Sequence, residues 1–233
     1  MAKAPAPDVR YRTASEHAFR TLKQWIIEGE IAPGTTIDQA EISARLGMSR
    51  MPIRTALERL DSEGLVMLVP HRGAVVTPTS VREMHDLYFV RHHLEGIATE
   101  LAAEMLLEPE LDEIAMILET IEAQVRSGDL EAFLASNRAF HMAVYRGAHN
   151  VVLEREIAGL WDLSERYRRA YLQLPARAKE STAEHRQIYQ LLQARRAREA
   201  SEFMRKHNDK TMRVLVERFQ QTEAPGDVQD GAR

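Results

Sequence analysis

The chain has 233 residues, 44% of them hydrophobic and 28% charged, a size and make-up that fit a soluble protein of two domains with at least one real core. It contains no cysteine, which excludes disulfides, zinc–thiolate sites and thiol catalysis. The net charge of -4 is unevenly spread, +1 over residues 1–77 and -5 over residues 78–233, and since phosphate binding depends on local Arg and Lys clusters the total does not exclude a nucleic-acid partner.

The opening MAKAPAPDVRYR lacks the apolar stretch of a signal peptide, and no run approaches the ~18 apolar residues of a membrane span. A cytoplasmic protein without membrane attachment is the expectation. Residues 1–14, rich in proline and alanine, read as a flexible arm. From Ser15 to about Glu28, Ala18, Phe19, Leu22, Trp25 and Ile26 follow helical spacing, until Gly29 and the Pro33-Gly34 pair stop it. Asp38, followed three residues later by Glu41, opens a short helix that ends near Leu46, with Gly47 as its stop. Ser49 caps a third helix, in which Pro52 is tolerated in the first turn and Ile53, Ala56, Leu57 and Leu60 form the buried stripe. Two β-prone runs, Leu65–Val69 and Ala74–Thr77, then flank a Pro70-His71-Arg72-Gly73 tip, a hairpin signature.

From Ser80 the texture is almost continuous helix, with segments near 80–106, 109–127, 129–147, 150–173, 177–195 and 197–220. The polar residues 221–233 read as a disordered tail. The expected fold is therefore mainly α. A winged helix-turn-helix (three helices plus a β-hairpin wing) spans residues 15–78, and an all-helical bundle domain spans residues 79–220.

In a winged helix-turn-helix the second helix of the pair lies in the major groove of DNA. Arg50 and Arg54, four apart, project from one face of that helix, opposite Ile53 and Leu57. Arginine suits the place, because its planar fork grips a phosphate or the O6/N7 edge of guanine with two hydrogen bonds. Ser49 and the free N–H groups of the helix start are suited to a phosphate. His71, Arg72 and Gly73 at the hairpin tip fit a wing entering the minor groove. Taken alone, two arginines on a helix make a solvated face and an HRG tip a polar turn; their combination in this order points to DNA.

The stretch IDQAEISARLGMSRMPIRTALERLDSEGLVMLVPHRGAVV resembles the GntR family of bacterial regulators over about forty residues. Met48 and Ile53 replace the family's usual valines, and Thr55 stands where glutamate is common. The resemblance implies DNA binding through Arg50 and Arg54, assisted by Ser49, Met51, Pro52 and the wing residues His71, Arg72 and Gly73.

The helical part carries a second pattern. Asn137 and His141 share a helix face in LASNRAFHMAV, and His185 and His207 lie in later helices. Three neutral imidazoles and an oxygen projecting into a bundle would bind a divalent transition ion and leave positions open; surface or singly satisfied core histidines are the plain alternative. Residues 80–220 resemble the fatty-acid-regulator type (FCD) ligand-binding domain found in many GntR proteins. The resemblance is carried by YFVRHHLEG, SNRAFH, AEHRQIYQLL and a histidine 22 residues after His185. It implies a metal site of Asn137, His141, His185 and His207, with the neutral amide of Asn137 in place of the frequent Asp. Zinc is the expected ion, with nickel or manganese as alternatives. It also places Arg91 at the pocket, where a metal and a guanidinium together would receive a small carboxylate; an Arg91–Glu95 salt bridge one turn apart is the competing account. Arg168 and Tyr171 are candidate pocket residues by helical position, and His92, His93 and His149 read as surface or locally bonded.

The expected whole is a regulator, not an enzyme. It would be a homodimeric, metabolite-responsive repressor on a palindromic double-stranded operator, with a carboxylate as effector. Two alternatives stand beside it: a regulator for which the ion itself is the signal, and a metal-dependent hydrolase in which His141, His185 and His207 activate water, although no motif supplies a general base beside them. Glu184 adjoins His185 in sequence, but helix neighbours diverge by about 100°.

Overall fold

The apolar spacing of the N-terminal stretch becomes α1 (Ala14–Ile27), which buries Ala18, Phe19, Leu22 and Ile26 along one face. The computed structural model describes residues 14–171 and 175–223, and the chain divides between Thr79 and Ser80 into two compact units. In the first unit α1 is followed by β1 (Thr36–Ile37), α2 (Gln39–Leu46), α3 (Arg50–Ser62), β2 (Val66–Val69) and β3 (Gly73–Val76). Asp38 caps α2 by accepting from the Ala40 and Glu41 amides, and Gly47 ends it in the left-handed conformation with φ 62°. Ser49 is the N-cap residue of α3, but its side chain makes no cap hydrogen bond, so its hydroxyl is not committed to the helix.

The expected hairpin is part of a three-stranded antiparallel sheet in the order β1-β3-β2. The two-residue strand β1 pairs Thr36 with Val75 and Ile37 with Ala74, and is too short to leave an alternating pattern in the sequence. Between the paired Val69 and Gly73, residues 70–72 form the tip, with His71 in the left-handed region at φ 63°. Ile53, Ala56, Leu57 and Leu60 of α3 are buried with Leu22, Ile26, Leu65, Ala74 and Val76, so helices and wing share one core.

The second unit consists of α4 (Val81–Met105), α5 (Glu108–Ser127), α6 (Leu130–Arg146), α7 (Val151–Tyr171), α8 (Pro175–Gln193) and α9 (Ala197–Glu223). Ser80 caps α4 through the Glu83 amide, and Asp129 caps α6 through the Ala132 amide. α4 packs chiefly along α9, and α5 against α6 and α8. Trp161, Tyr145 and Phe140 are fully buried in its main core; Tyr167, Met84, Leu87, Leu215 and Phe219 form a second cluster. The molecule is thus mainly helical, with nine helices among the described residues and one small sheet. The expected arm and tail fall largely outside the described residues, although α9 continues to Glu223.

Candidate functional site

On the first unit the candidate residues gather at the start of α3 and at the wing tip. Ser49, Arg50, Met51 and Arg54 are exposed, with Pro52 half-buried beside them, and His71, Arg72 and Gly73 are exposed at the tip. Met51, at 73% exposure, is a large apolar side chain displayed to solvent, a costly placement for a residue that serves only the core. Ion pairing separates the cations of this unit. Lys23 binds Glu63, Arg45 binds Glu30 and stacks on Trp25, and Arg59 binds Glu16 and stacks on Phe19. Arg54 holds only the exposed Glu58, at 2.9 Å, a pair worth at most about 1 kcal/mol and readily exchanged. Among the described residues, Arg50 and Arg72 have no ion pair, and these two sit where a helix start and a wing would meet DNA.

In the second unit α6, α8 and α9 bring His141, His185 and His207 together, all buried, with one ligand nitrogen of each lying within 4.8 Å of the others. The Nε2 atoms of His141 and His185 are 3.2 Å apart. Two nitrogens bound tetrahedrally to one zinc at ~2.05 Å would lie about 3.3 Å apart, so the spacing suits an ion. The ring partners fix which atoms face inward. Tyr145 spends its one proton on Glu95, so at 3.0 Å its oxygen receives the Nδ1–H of His141. Nδ1 of His207 donates to Glu184 Oε2 at 2.7 Å. Both rings therefore carry their lone pair on Nε2. His185 stacks on Phe140, and its Nδ1 is buried without a partner.

Burial, reinforced by the neighbouring imidazoles, pushes His141 and His185 well below the usual histidine range, and burial lowers His207 although Glu184 offsets part of the effect. All three are neutral at pH 7, as metal ligands must be. Burial alone would raise the Glu184 carboxyl, but hydrogen bonds from His207, Arg177 and Lys210 hold it far below the carboxylate range. Glu184 is thus fully engaged in holding His207 and Arg177, which removes it as a free general base. Asn137, one turn before His141, is buried with its amide nitrogen unpartnered. Turning that amide over would present the oxygen instead, the atom an ion needs.

Asn137 also lines a cavity of about 10 Å³, room for about one water, together with Phe133, Leu134, Arg168, Arg177, Ser181 and Thr211. Arg168 is among the residues lining this chamber, whereas the side chain of Tyr171 lies outside the described residues. Arg91 does not line this chamber, but it lies on Trp161, the ring that contacts His141 and also carries Arg168. The Nε of Arg91 binds Glu95 at 2.6 Å, its Nη1 binds Ser164 at 2.7 Å, and its guanidinium lies over the rings of Trp161 and Tyr88. The turn-apart ion pair is therefore formed, and both partners are buried. Glu95 also accepts from Trp161 Nε1 at 2.9 Å, Asn208 Nδ2 at 2.7 Å and the Tyr145 hydroxyl. Four donors surround one carboxylate, which is what a buried charge requires.

Sequence reasoning missed Tyr145, Arg177, Ser181 and Thr211, yet each had a signal. Tyr145 follows His141 by one turn, Thr211 follows His207 by one turn, and Arg177, Ser181 and His185 repeat every four residues. His92, His93 and His149, expected as surface or locally bonded residues, pair with Asp209, the Phe89 carbonyl and Glu110 respectively.

The comparisons with known proteins agree with this architecture. The family model "Bacterial regulatory proteins, gntR family" matches residues 14–76, and the model "FCD domain" matches residues 86–210. The HTH-type transcriptional regulator McbR of Escherichia coli K12 is 31% identical over 140 residues, 60% of this chain and 63% of that protein. Its solved structure superposes with a TM-score of 0.79 at 23% identity, covering 89% of this chain and 99% of the other. An HTH-type regulator in an unstable DNA locus of Streptomyces ambofaciens is 31% identical over 182 residues, 76% of this chain and 75% of that one. The transcriptional repressor RspR of Escherichia coli K12 is 28% identical over 127 residues, 54% and 56% of the two chains. These relatives and domains are those of transcription regulators, not of enzymes. The chain belongs to the GntR family of bacterial DNA-binding transcription regulators, in the branch whose second domain is an FCD domain.

Proposed function

We propose that this regulator is a cytoplasmic homodimeric repressor, bound to a palindromic operator, whose affinity is set by a small carboxylate at a metal-containing pocket. The convergence of three buried, neutral histidines, two of them with Nε2 lone pairs turned to a common point, carries the reading. His141, His185 and His207 would hold the ion, with Asn137 as an oxygen ligand; zinc suits this nitrogen–oxygen set, and nickel or manganese are the alternatives. The ion would polarise a carboxylate oxygen and leave the second oxygen for a guanidinium. Arg168 and Arg177 line the chamber and are the candidates for that oxygen, although they pair with Glu165 and Glu184 as Arg91 pairs with Glu95. On DNA, the unpaired Arg50 and Arg72 with Arg54 would grip phosphates and base edges, with Ser49 and Met51 completing the helix contact and His71 and Gly73 the wing. Repression is supported by the kinship with RspR.

The small chamber favours a second reading, in which the ion alone is the signal. Operator binding followed by fluorescence anisotropy separates the two readings. Metal-loaded protein should bind one genomic fragment above random duplex at physiological salt, and a small carboxylate should release it. Release or binding driven by metal alone would favour the ion as signal. No fragment bound above random duplex would defeat both.

A further inference from the structure

The three histidines are held in three unlike ways: His207 by the carboxylate of Glu184, His185 by the Ser181 hydroxyl 3.3 Å from Nε2 with Nδ1 unpartnered, and His141 by a phenol. A phenol is a poor orienting group by itself, since its hydroxyl can either donate to an imidazole nitrogen or accept from it. Here the choice is made one step further out. Tyr145 donates to Glu95, and the other donors on that carboxylate, Arg91, Trp161 and Asn208, come from three different helices. All of these groups are buried, so water offers the tyrosine no alternative acceptor. With its proton committed, Tyr145 can only accept from His141.

We infer that Glu95, acting through Tyr145, is the positioning residue that locks His141 in its Nδ1–H tautomer and aims the Nε2 lone pair at the centre of the three-histidine cluster. The tautomer assignment follows from the hydrogen bonds, while its consequence for metal affinity rests on the reading of the cluster as a metal site. Without the acceptor, the His141 proton is free to move to Nε2, where it faces Nε2 of His185 at 3.2 Å and blocks the ligand position. Groups that orient metal-bound histidines from outside the ligand shell change affinity by about 10–100-fold when removed. The arginine that resemblance points to as an effector contact is, in this arrangement, the ion-pair partner of Glu95, and Glu95 is the residue that reaches His141 through Tyr145.

The test uses full-length Tyr145→Phe, which leaves Glu95 three of its four donors, with Glu95→Gln as a second variant. Long-range proton–nitrogen spectra of metal-free protein should show one His141 tautomer, protonated at Nδ1, in the wild type and a mixture or the opposite tautomer in Tyr145→Phe. Zinc competition with a chromophoric chelator should show affinity lower by about 10–100-fold in Tyr145→Phe, more than any change in its melting temperature explains. An unchanged tautomer in Tyr145→Phe overturns the inference, as does unchanged zinc affinity in a protein that binds zinc. If the wild type binds no metal while the tautomer shifts as expected, the metal reading fails and the positioning role stands.

Discussion

Lowering the pH from 7.5 to 5.5 should cost the metal-free protein stability in an amount the three histidines set. In the unfolded chain a histidine of pKa ~6.5 goes from about one-tenth to nine-tenths protonated over that interval. A native state that refuses the proton forgoes about 1.4 kcal/mol for each such group. His141 and His185, both held well below the usual range by burial and by neighbouring imidazoles, account for at most about 3 kcal/mol. His207, lowered by burial but partly supported by Glu184, raises the ceiling to about 4 kcal/mol. The sign is fixed by the direction of these shifts: with folded values depressed, stability is retained well above the unfolded value near ~6.5, begins to fall as the pH approaches it, and is lost mostly below it. The depressed carboxyls of Glu184, Glu110, Glu180 and Glu16 contribute their own loss only as the pH falls below about 4.5, outside the window. Against a total stability of roughly 5–15 kcal/mol the effect is large.

The assay is urea denaturation in chelator at the two pH values, followed by the fluorescence of Trp161 in a Trp25→Phe background. The double variant His141→Asn/His185→Asn should lose less stability than the wild type across the interval, by up to about 3 kcal/mol. Equal losses in the two proteins would refute the claim that the cluster is folded around neutral imidazoles.

Other outcomes follow from separate parts of the molecule. Arg50→Ala or Arg72→Ala should weaken operator binding by about 1–3 kcal/mol if the arginine reads a guanine, and should flatten the salt dependence if it binds phosphate; anisotropy titrations at two salt concentrations tell these apart. Leu57→Ala, which empties a fully buried position of the first unit, should cost about 2–5 kcal/mol and abolish operator binding, while zinc binding by the second unit persists in the same preparation. Gly147→Ala would set a methyl 2.4 Å from Leu106 Cδ2 in backbone geometry that alanine otherwise accepts, so about 1–3 kcal/mol of destabilisation is expected by thermal melting. Stripping zinc from protein held at one hundred times the dissociation constant should remove about 2.7 kcal/mol, read as a fall in melting temperature that added zinc reverses.

What the sequence makes legible here is what a single element determines by itself. The stripe Ile53, Ala56, Leu57 and Leu60 places Arg50 and Arg54 on the outer side of a helix, and a Pro-His-Arg-Gly tip between β-prone runs makes a wing, because spacing and turn chemistry are local. The pair Asn137–His141, one turn apart on one helix, is equally local. Which stripes meet is a property of the packed bundle. Arg91 shows the limit: one turn from Glu95, it had two readings of equal standing, effector contact and ion pair, and its own helix offers nothing to decide between them. The decision is made by Trp161 and Asn208, 66 and 113 residues away from Glu95, whose N–H groups converge on its buried carboxylate. A buried carboxylate requires a cation within reach, and Arg91 is the one its helix supplies. Removing Arg91 would therefore strand the Glu95 charge under His141. A loss of effector response in Arg91→Ala could then come from a disturbed metal ligand as readily as from a lost carboxylate contact, and measuring the variant's metal affinity separates the two.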